Sequence, residues 1–185
     1  MGETLTTARL TLRRWRTADR LPFQAINADP MVMEFFPALL TAEESDLTIE
    51  RIGQHFERYG FGLFAAELKE TGEFVGFVGL NVPGFEAAFM PAVEIGWRLA
   101  FDQWGKGLAT EGAQAVVRFA FETLQLPGLV SFTSTGNLRS RRVMEKIGMT
   151  HDPADDFDHP RLPESHPLRR HVLYRLNAPV QTPDR

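Results

Sequence analysis

The sequence contains no cysteine, which excludes disulfide bonds, thiolate zinc sites and a cysteine nucleophile. It has no apolar run of the ~20 residues that a membrane-spanning helix needs, and its start, "MGETLTTARL", lacks a secretory-signal pattern. Basic residues are also few, because 20 Lys and Arg stand against 24 Asp and Glu and the net charge is −4. A nucleic-acid-binding face needs the opposite balance. We therefore expect a cytoplasmic protein that binds neither nucleic acid nor membranes.

What the chain does contain is the composition of one globular domain. Of its 185 residues, 43% are hydrophobic and 24% are charged, and this length is sufficient for one sizeable core. No internal repeat or interdomain linker is visible. We expect a single domain over residues 1–176, followed by a tail over 177–185, where "NAPVQTPDR" is typical of a loose terminus.

Hydrophobic periodicity predicts a mixed α/β structure. Alternating patterns predict strands over 8–15, 61–70, 73–82, 92–100, 129–135 and 169–176, with room for a further short strand from Met149. Helical spacing predicts helices over 41–60, 105–124 and 137–148, and a shorter one from Thr17. Thr41 and Glu44 form a capping-box pattern, and Gly60 is suited to end that helix. This order indicates helices that cover a sheet.

The stretch "DQWGKGLATEGAQ", residues 102–114, places a glycine-rich turn between a strand and a helix. Such a turn can be purely structural, or it can leave helix-terminal N–H groups open to a phosphate. It is not a Walker motif, because Gly107 and Leu108 follow Lys106. It is not a dinucleotide fingerprint either, because Thr110 stands at the position of the third glycine. Taken alone, the motif leaves both interpretations open.

The surrounding sequence makes the motif more specific. "VEIGWRLAFDQWGKGLATEGAQAVVRFAF" and "NLRSRRVMEKIGM" resemble the coenzyme A-binding half of the GNAT N-acetyltransferase superfamily, and in particular its ribosomal-protein N-terminal acetyltransferase (RimJ/RimL-type) group. The superfamily pattern Q/R-x-x-G-x-G/A maps onto 104–109, where Trp104 departs from Gln or Arg. The resemblance implies the single-domain α/β GNAT fold, a mostly antiparallel twisted sheet of about six or seven strands with about four helices. It also implies acetyl-CoA as the acyl donor and no metal.

The resemblance implies a set of coenzyme contacts. Backbone N–H groups from about 105 to 110 would hold the pyrophosphate, and Asn137 would contact the pantetheine arm while also serving as a helix N-cap. Arginines of 139–142 are candidates for the adenosine 3′-phosphate, with a solvated charged face as the alternative. The implied coenzyme-binding residues are Arg98, Leu99, Trp104, Gly105, Lys106, Gly107, Leu108, Ala109, Thr110, Asn137 and Arg142.

Two residues are candidates for catalysis. Glu94 lies within the apolar strand pattern "AVEIGWRL", and a carboxyl there is suited to act as a general base; a solvated face or a pair with Arg98 is the alternative. Ser140 matches the serine that the group places near the sulfur. Many superfamily members carry a tyrosine acid at the position that Met144 fills here. Tyr174, on the last strand, fits core packing.

The acceptor would enter opposite the coenzyme, between the N-terminal helices and the 152–168 loop. Glu34, Phe35 and Phe36 are the candidate substrate-binding residues, and acids of the nearby helix could attract a cationic amine; ordinary core and surface roles are the alternative. Those acids are Glu43, Glu44 and Asp46. "HDPADDFDHP" (151–160) allows a metal site, but its irregular spacing favours a polar loop.

Two functions remain open at this point. The first is an acetyl-CoA-dependent N-acetyltransferase that acts directly through a ternary complex on a small-molecule amine or a protein or peptide N-terminus. The second is a catalytically silent acyl-CoA-binding module of the same fold. The missing tyrosine acid gives it slight support, whereas the joint presence of Glu94, Asn137 and Ser140 speaks against it. For either, we expect a monomer or a homodimer.

Overall fold

The computed structural model describes residues 3–179, and within them nine strands form one sheet. Three are two-residue strands at the edges, and the other six are the strands that hydrophobic alternation predicts. The strands are β1 (Leu5–Thr6), β2 (Leu10–Arg13), β3 (Leu63–Leu68), β4 (Phe74–Asn81), β5 (Glu94–Leu99), β6 (Gly128–Ser134), β7 (Thr150–His151), β8 (Phe157–Asp158) and β9 (Arg170–Asn177).

Four α-helices flank the sheet in the described residues, and local sequence explains where they begin and end. They are α1 (Arg20–Ala28), α2 (Ala42–Tyr59), α3 (Leu108–Arg118) and α4 (Leu138–Lys146). The Thr41–Glu44 capping box starts α2, and Gly60 ends it in the left-handed conformation. A π-helical turn (Phe119–Thr123) continues α3.

The strand order is β1-β2-β3-β4-β5-β6-β9-β7, with β8 paired to β9. All pairs are antiparallel except β5 with β6, which are parallel and register at a single Cα pair, Glu94 with Val130. The Val130 N–H donates to the Val93 carbonyl at 2.9 Å, and no further ladder pair of these two strands follows in the described residues. The sheet therefore opens into a wedge beyond Glu94.

The core lies on both faces of the sheet. On one face, α3 packs on β4 and β5, where Val78, Ile95 and Val116 have no exposed surface. On the other face, Phe23 of α1 packs against Phe77 of β4 with ring centroids 6.0 Å apart. Each such side chain contributes roughly 1.5–3 kcal/mol by leaving water. The two layers hold the edges of the wedge in place.

The fold class matches the sequence prediction, with two differences in detail. The sheet has more strands than the expected six or seven, because β1 and β8 are too short to show periodicity. The predicted helix over 105–124 instead begins at Leu108, since residues 105–107 form a turn. No helix among residues 3–179 is long and apolar enough to cross a membrane. Part of the predicted tail, residues 180–185, lies outside the described residues.

Candidate active site

The wedge between β5 and β6 opens into one continuous cleft of about 1050 Å³. Its floor is the open edge of β5, and α3 and α4 close it on one side. The segment after α1 and the loop before β9 close it on the other side.

At one end of the cleft, the glycine-rich turn leads into α3. Gly105 and Gly107 have φ of 74° and 80°, a left-handed conformation that residues with a Cβ rarely adopt. Gly107 is the N-cap of α3, and no side chain caps the helix there. The N–H groups of the first turn are therefore left for a ligand, and the helix dipole favours an anionic one.

A salt bridge from the N-terminal strand region braces this turn. Arg9 donates from Nε to Glu111 Oε2 at 2.7 Å and from Nη1 to the Lys106 carbonyl at 2.8 Å. Glu111 Oε1 also accepts from the Thr7 hydroxyl at 2.6 Å. These contacts lower the pKa of Glu111, although desolvation acts the other way, so the carboxylate stays charged and the turn stays anchored.

The open edge of β5 presents backbone groups to the cleft. Strand alternation turns the N–H and C=O groups of Ile95, Trp97 and Leu99 towards β6. Two of these carbonyls already accept hydrogen bonds, Ile95 from the Ser131 hydroxyl and Leu99 from the Trp104 indole, each at 2.9 Å. The Trp97 groups between them face the wedge, where an extended polar chain can pair with them.

The N-terminal half of α4 forms the next wall of the cleft. Asn137 caps the helix, with its Oδ1 accepting from the Ser140 N–H at 3.2 Å and its Nδ2 donating to Thr133 Oγ1 at 2.9 Å. Ser140 lines the cleft, as do Arg142 and Lys146 one turn apart. The helix thus offers one hydroxyl and two cations to the cleft.

Glu94 lies at the apex of the wedge. It starts β5, pairs in register with Asn81 of β4, and its Oε2 accepts from Asn81 Nδ2 at 3.3 Å. Desolvation by the surrounding walls raises the pKa of Glu94 from 4.5 to about 7, and the Asn81 hydrogen bond opposes only part of this. A carboxyl with a pKa near neutrality is suited to take up a proton.

Arg98 shares the face of β5 that carries Glu94, yet each of the two side chains bonds to a different residue. Arg98 Nη1 donates to Asn27 Oδ1 at 2.5 Å, and its guanidinium lies 4.1 Å above the Phe36 ring. Burial lowers the pKa of this guanidinium to about 10. The alternative in which Glu94 pairs with Arg98 is therefore not what the structure shows.

The far wall of the cleft is aromatic and rich in histidine. Phe132 of β6 lies 6.2 Å from the His159 ring, and His159 lies 5.0 Å from His171, measured between ring centroids. Desolvation, with smaller effects from His171 and Arg161, lowers the pKa of His159 to about 4; burial also lowers the pKa of His171. Both rings are therefore neutral near neutral pH.

Most residues predicted for the site line this cleft. Those that do are Glu94, Ser140, Arg98, Leu99, Trp104, Gly105, Gly107, Leu108, Ala109, Thr110, Asn137, Arg142, Phe35 and Phe36. Two do not: Lys106 turns its ammonium to Gln103 Oε1 at 3.1 Å, and Glu34 forms an ion pair with Arg139.

The acids expected to attract a cationic amine lie elsewhere. Glu43 and Glu44 sit in the first turn of α2, and Asp46 pairs with Arg20 at 2.9 Å. In the 151–160 stretch, His151 pairs with Asp156 at 2.7 Å. Among residues 3–179, no group of three or more acids and histidines is arranged to hold a metal ion. Tyr174 is buried, with its hydroxyl donating to Glu145 Oε1 at 3.0 Å.

Sequence reasoning missed several residues of the site. Asn81 ends a strand that is otherwise buried along its length, and a lone amide in such a strand is a readable signal. The link between Arg9 and Glu111 spans 102 residues and leaves no local signal. The same holds for His159 and His171, which the β8–β9 pairing brings together.

Comparison with known proteins places this geometry in a family. The model of the GNAT acetyltransferase domain matches residues 9–150. The chain belongs to the GNAT acetyltransferase family. The protein YkkB of Bacillus subtilis is 33% identical over 146 residues, which cover 78% of this chain and 84% of that protein.

Solved GNAT structures superpose over nearly the whole chain. An acetyltransferase from Agrobacterium tumefaciens gives a TM-score of 0.76 at 33% identity and covers 96% of this chain and 95% of that one. The ribosomal L7/L12 α-N-protein acetyltransferase RimL, solved with coenzyme A, gives 0.76 at 14% identity over 95% and 98% of the two chains. At that identity RimL shares the GNAT fold. This GNAT protein is thus an N-acetyltransferase with the family's mixed α/β architecture.

Proposed function

We propose that this GNAT protein transfers the acetyl group of acetyl-CoA directly to a primary amine in a ternary complex. The observation that carries the proposal is the position of Glu94, with its pKa near 7, at the apex of a cleft whose other end is the uncapped start of α3. One end suits a phosphate and the other suits proton transfer. The wedge between them suits a linear thioester.

The donor end uses features that all favour an anionic, extended molecule. The free N–H groups of α3 and the left-handed glycines would receive the pyrophosphate. The open β5 edge at Trp97 would pair with the amides of the pantetheine arm, as another strand would. Arg142 and Lys146 line the cleft and would meet the adenosine 3′-phosphate.

The proposed reaction begins with an amine that is largely protonated near neutral pH, because an alkylamine has a pKa of about 10 and a peptide α-amine has one of about 8. Glu94 accepts this proton, directly or through a water molecule. The amine nitrogen then attacks the thioester carbonyl and the carbon–nitrogen bond forms. The nitrogen releases its second proton to solvent, and the carbon–sulfur bond breaks. The coenzyme leaves as a thiolate that takes up a proton.

No acid of suitable pKa stands ready for that thiolate in the described cleft. Met144 is buried at the position where many superfamily members carry a tyrosine, and the Tyr174 hydroxyl contacts Glu145 behind α4. Ser140 is the hydroxyl that lines the cleft there. We propose that it donates a hydrogen bond to the sulfur, and that solvent finally supplies the proton.

The acceptor is proposed to be the α-amine of a protein or peptide, or a small-molecule amine. RimL, whose structure shares this fold, acts on a protein α-amine, which supports the first choice. Phe35 and Phe36 line the acceptor side of the cleft and supply apolar contact. The cytoplasmic location and the monomeric or dimeric state remain predictions.

Thiol release with a panel of small amines and unblocked peptides tests the proposal. We expect acetyl-CoA to be consumed only when an amine is present, and an acetylated amine to appear in equal amount. Tight coenzyme binding without turnover on any amine would support the silent binding module instead.

A further inference from the structure

Arg98 is a half-buried cation without an anionic partner among the described residues. Its Nε has no exposed surface and no hydrogen-bond partner, and Asn27 supplies the one side-chain acceptor for the guanidinium among residues 3–179. A charge taken out of water normally has a carboxylate or a ligand anion beside it, because desolvation is otherwise uncompensated. Arg98 also lines the cleft, so a ligand can supply that anion.

The acids on the segments around Arg98 are engaged by other groups. Glu34, on the segment that carries Phe36, forms its ion pair with Arg139. Asp46 of α2 pairs with Arg20, and Glu94 accepts from Asn81. Arg98 therefore has no internal counter-ion within the described residues.

The guanidinium is nevertheless held in a defined place. Asn27 accepts from Arg98 and donates from Nδ2 to the Ser45 hydroxyl at 2.8 Å, and neither Asn27 nor Ser45 has any exposed surface. The Phe36 ring lies on the guanidinium at 4.1 Å, and the Phe77 ring is 5.5 Å away. Two buried polar side chains and two aromatic rings thus fix a cation that no carboxylate neutralises.

The position of Arg98 suits the acceptor better than the donor. Side chains alternate along β5, so Glu94 and Arg98 share one face, whereas the backbone groups that face the wedge belong to Ile95, Trp97 and Leu99. Four residues of extended strand separate the Cα atoms of Glu94 and Arg98 by about 13 Å. A molecule whose amine reaches Glu94 along this face passes Arg98 within that distance.

The side chains that line the cleft are mostly positively charged, as a site for an anionic acceptor requires. Five basic side chains line it, namely Arg98, Arg139, Arg142, Lys146 and Arg161, and Glu94 is the one carboxylate among the described lining residues. The whole chain carries a net charge of −4, so the excess of positive charge in the cleft is opposite in sign to the charge of the protein as a whole. Arg98 and Arg161 do not belong to α4, the helix whose cations are proposed to meet the coenzyme.

On the basis of the proposed function, we propose that the Arg98 guanidinium binds an anionic group of the acceptor. The acceptor is then an amine that also carries a carboxylate or phosphate within about 13 Å of its nitrogen. Free amino carboxylates and short peptides with an acidic group both have this chemistry. Cationic polyamines do not.

Matched acceptors with and without the anion test this inference. We would measure kcat and KM for β-alanine, aminohexanoate and trialanine, each as the free acid and as the amide, with the wild type, Arg98→Gln and Arg98→Lys. Arg118→Gln, on the exposed end of α3 outside the cleft, is the control. Unfolding curves of each variant report whether the fold is kept.

The wild type should prefer acids to their amides, and Arg98→Gln should lower kcat/KM for the acids about 10- to 100-fold through KM. Amides and the KM for acetyl-CoA should change little, and Arg98→Lys should retain part of the preference. Equal losses for acids and amides, or a raised KM for acetyl-CoA, would overturn the proposal. The small molecule and the peptide are distinguished by which acid gives the higher kcat/KM.

A binding measurement separates this inference from the proposed function. If no amine is acetylated, calorimetry with N-acetyl-aminohexanoate and its amide replaces the kinetics. Tighter binding of the acid that is lost in Arg98→Gln would leave the anion site standing while acetyl transfer fails. Equal binding of acid and amide to the wild type would refute the anion site itself.

Discussion

Replacement of Glu94 by Gln tests the proposed base with two independent readouts. The change keeps the shape of the side chain and the possibility of a hydrogen bond with Asn81, but it removes the group that titrates. Glu70→Gln, on the exposed β3–β4 turn, is the matched control because it alters the same charge outside the cleft.

The first readout is the pH dependence of kcat/KM. Glu94 must be ionised to accept a proton, so activity of the wild type should rise with pH through about 7, the raised pKa of this carboxyl. A positioned general base contributes about 10²- to 10⁴-fold. The loss in Glu94→Gln should therefore be of that size near neutral pH. It should shrink as the pH approaches the pKa of the amine, which is about 10 for an alkylamine and about 8 for a peptide α-amine.

The second readout is stability. The folded protein raises the pKa of Glu94 from 4.5 to about 7, so it binds a proton at this carboxyl more tightly than the unfolded chain does. The contribution of Glu94 to the free energy of unfolding is therefore greatest below about pH 4.5 and is lost as the pH rises through about 7. The difference amounts to about 3 kcal/mol. Urea unfolding should be measured at about pH 4 and about pH 8. Between these, the free energy of unfolding of Glu94→Gln should rise relative to that of the wild type by up to about 3 kcal/mol. Water that reaches the cleft would make the measured gain smaller.

Two results would refute the reasoning about Glu94. A pH profile that Glu94→Gln leaves unchanged would exclude it as the base. A free energy of unfolding that responds to pH identically in both proteins would show that its pKa is not raised.

Three further variants test the turn, a helix cap and a buried ion pair. Gly105→Val forces a branched residue into a left-handed turn, which costs about 1–2 kcal/mol, and calorimetry should show coenzyme A binding weakened about tenfold or more. The control Gly148→Val, at a glycine with φ of 88° outside the cleft, bears similar strain and should leave coenzyme A binding unchanged. Asn137→Ala removes the α4 cap and should lower the free energy of unfolding in urea by about 1 kcal/mol. A change near zero would mean that the cap does not stabilise the helix. Arg13→Met leaves the buried Asp19 carboxylate unpaired and should cost about 3–5 kcal/mol; a loss under about 1 kcal/mol would contradict the ion pair, and Asp19→Asn added to it should recover stability.

Local sequence predicted the parts of the fold that have a local cause. The capping box at Thr41, the left-handed Gly60 and the Asn137 cap each depend on neighbours within four residues, and the structure has all three. Hydrophobic spacing was less reliable on helix faces. Leu21 and Leu47 fit helical stripes, yet they are 76% and 42% exposed, because α1 and α2 bury narrower faces than their patterns suggest.

The parts of the candidate site that consist of one continuous segment of the chain could be predicted from the sequence. The turn over 104–110 is one continuous segment, and so is the stretch from Asn137 to Ser140. Apart from Lys106, the residues of the turn line the cleft, as do Asn137 and Ser140. The environment of Glu94 was not predictable, because its desolvation depends on walls from distant segments. The role of Arg98 shows the same limit, since Asn27 and Phe36 reach it across 71 and 62 residues of chain.

The central claim is that one cleft holds the donor at the start of α3 and delivers its sulfur to the side of Glu94. A crystal structure of the protein with coenzyme A tests this most directly. The account predicts pyrophosphate oxygens on the backbone N–H groups of 105–110, a pantetheine arm paired with the open edge of β5, and the thiol between Glu94 and Ser140. A pyrophosphate bound elsewhere, or a thiol on the face of β5 away from Glu94, would contradict it.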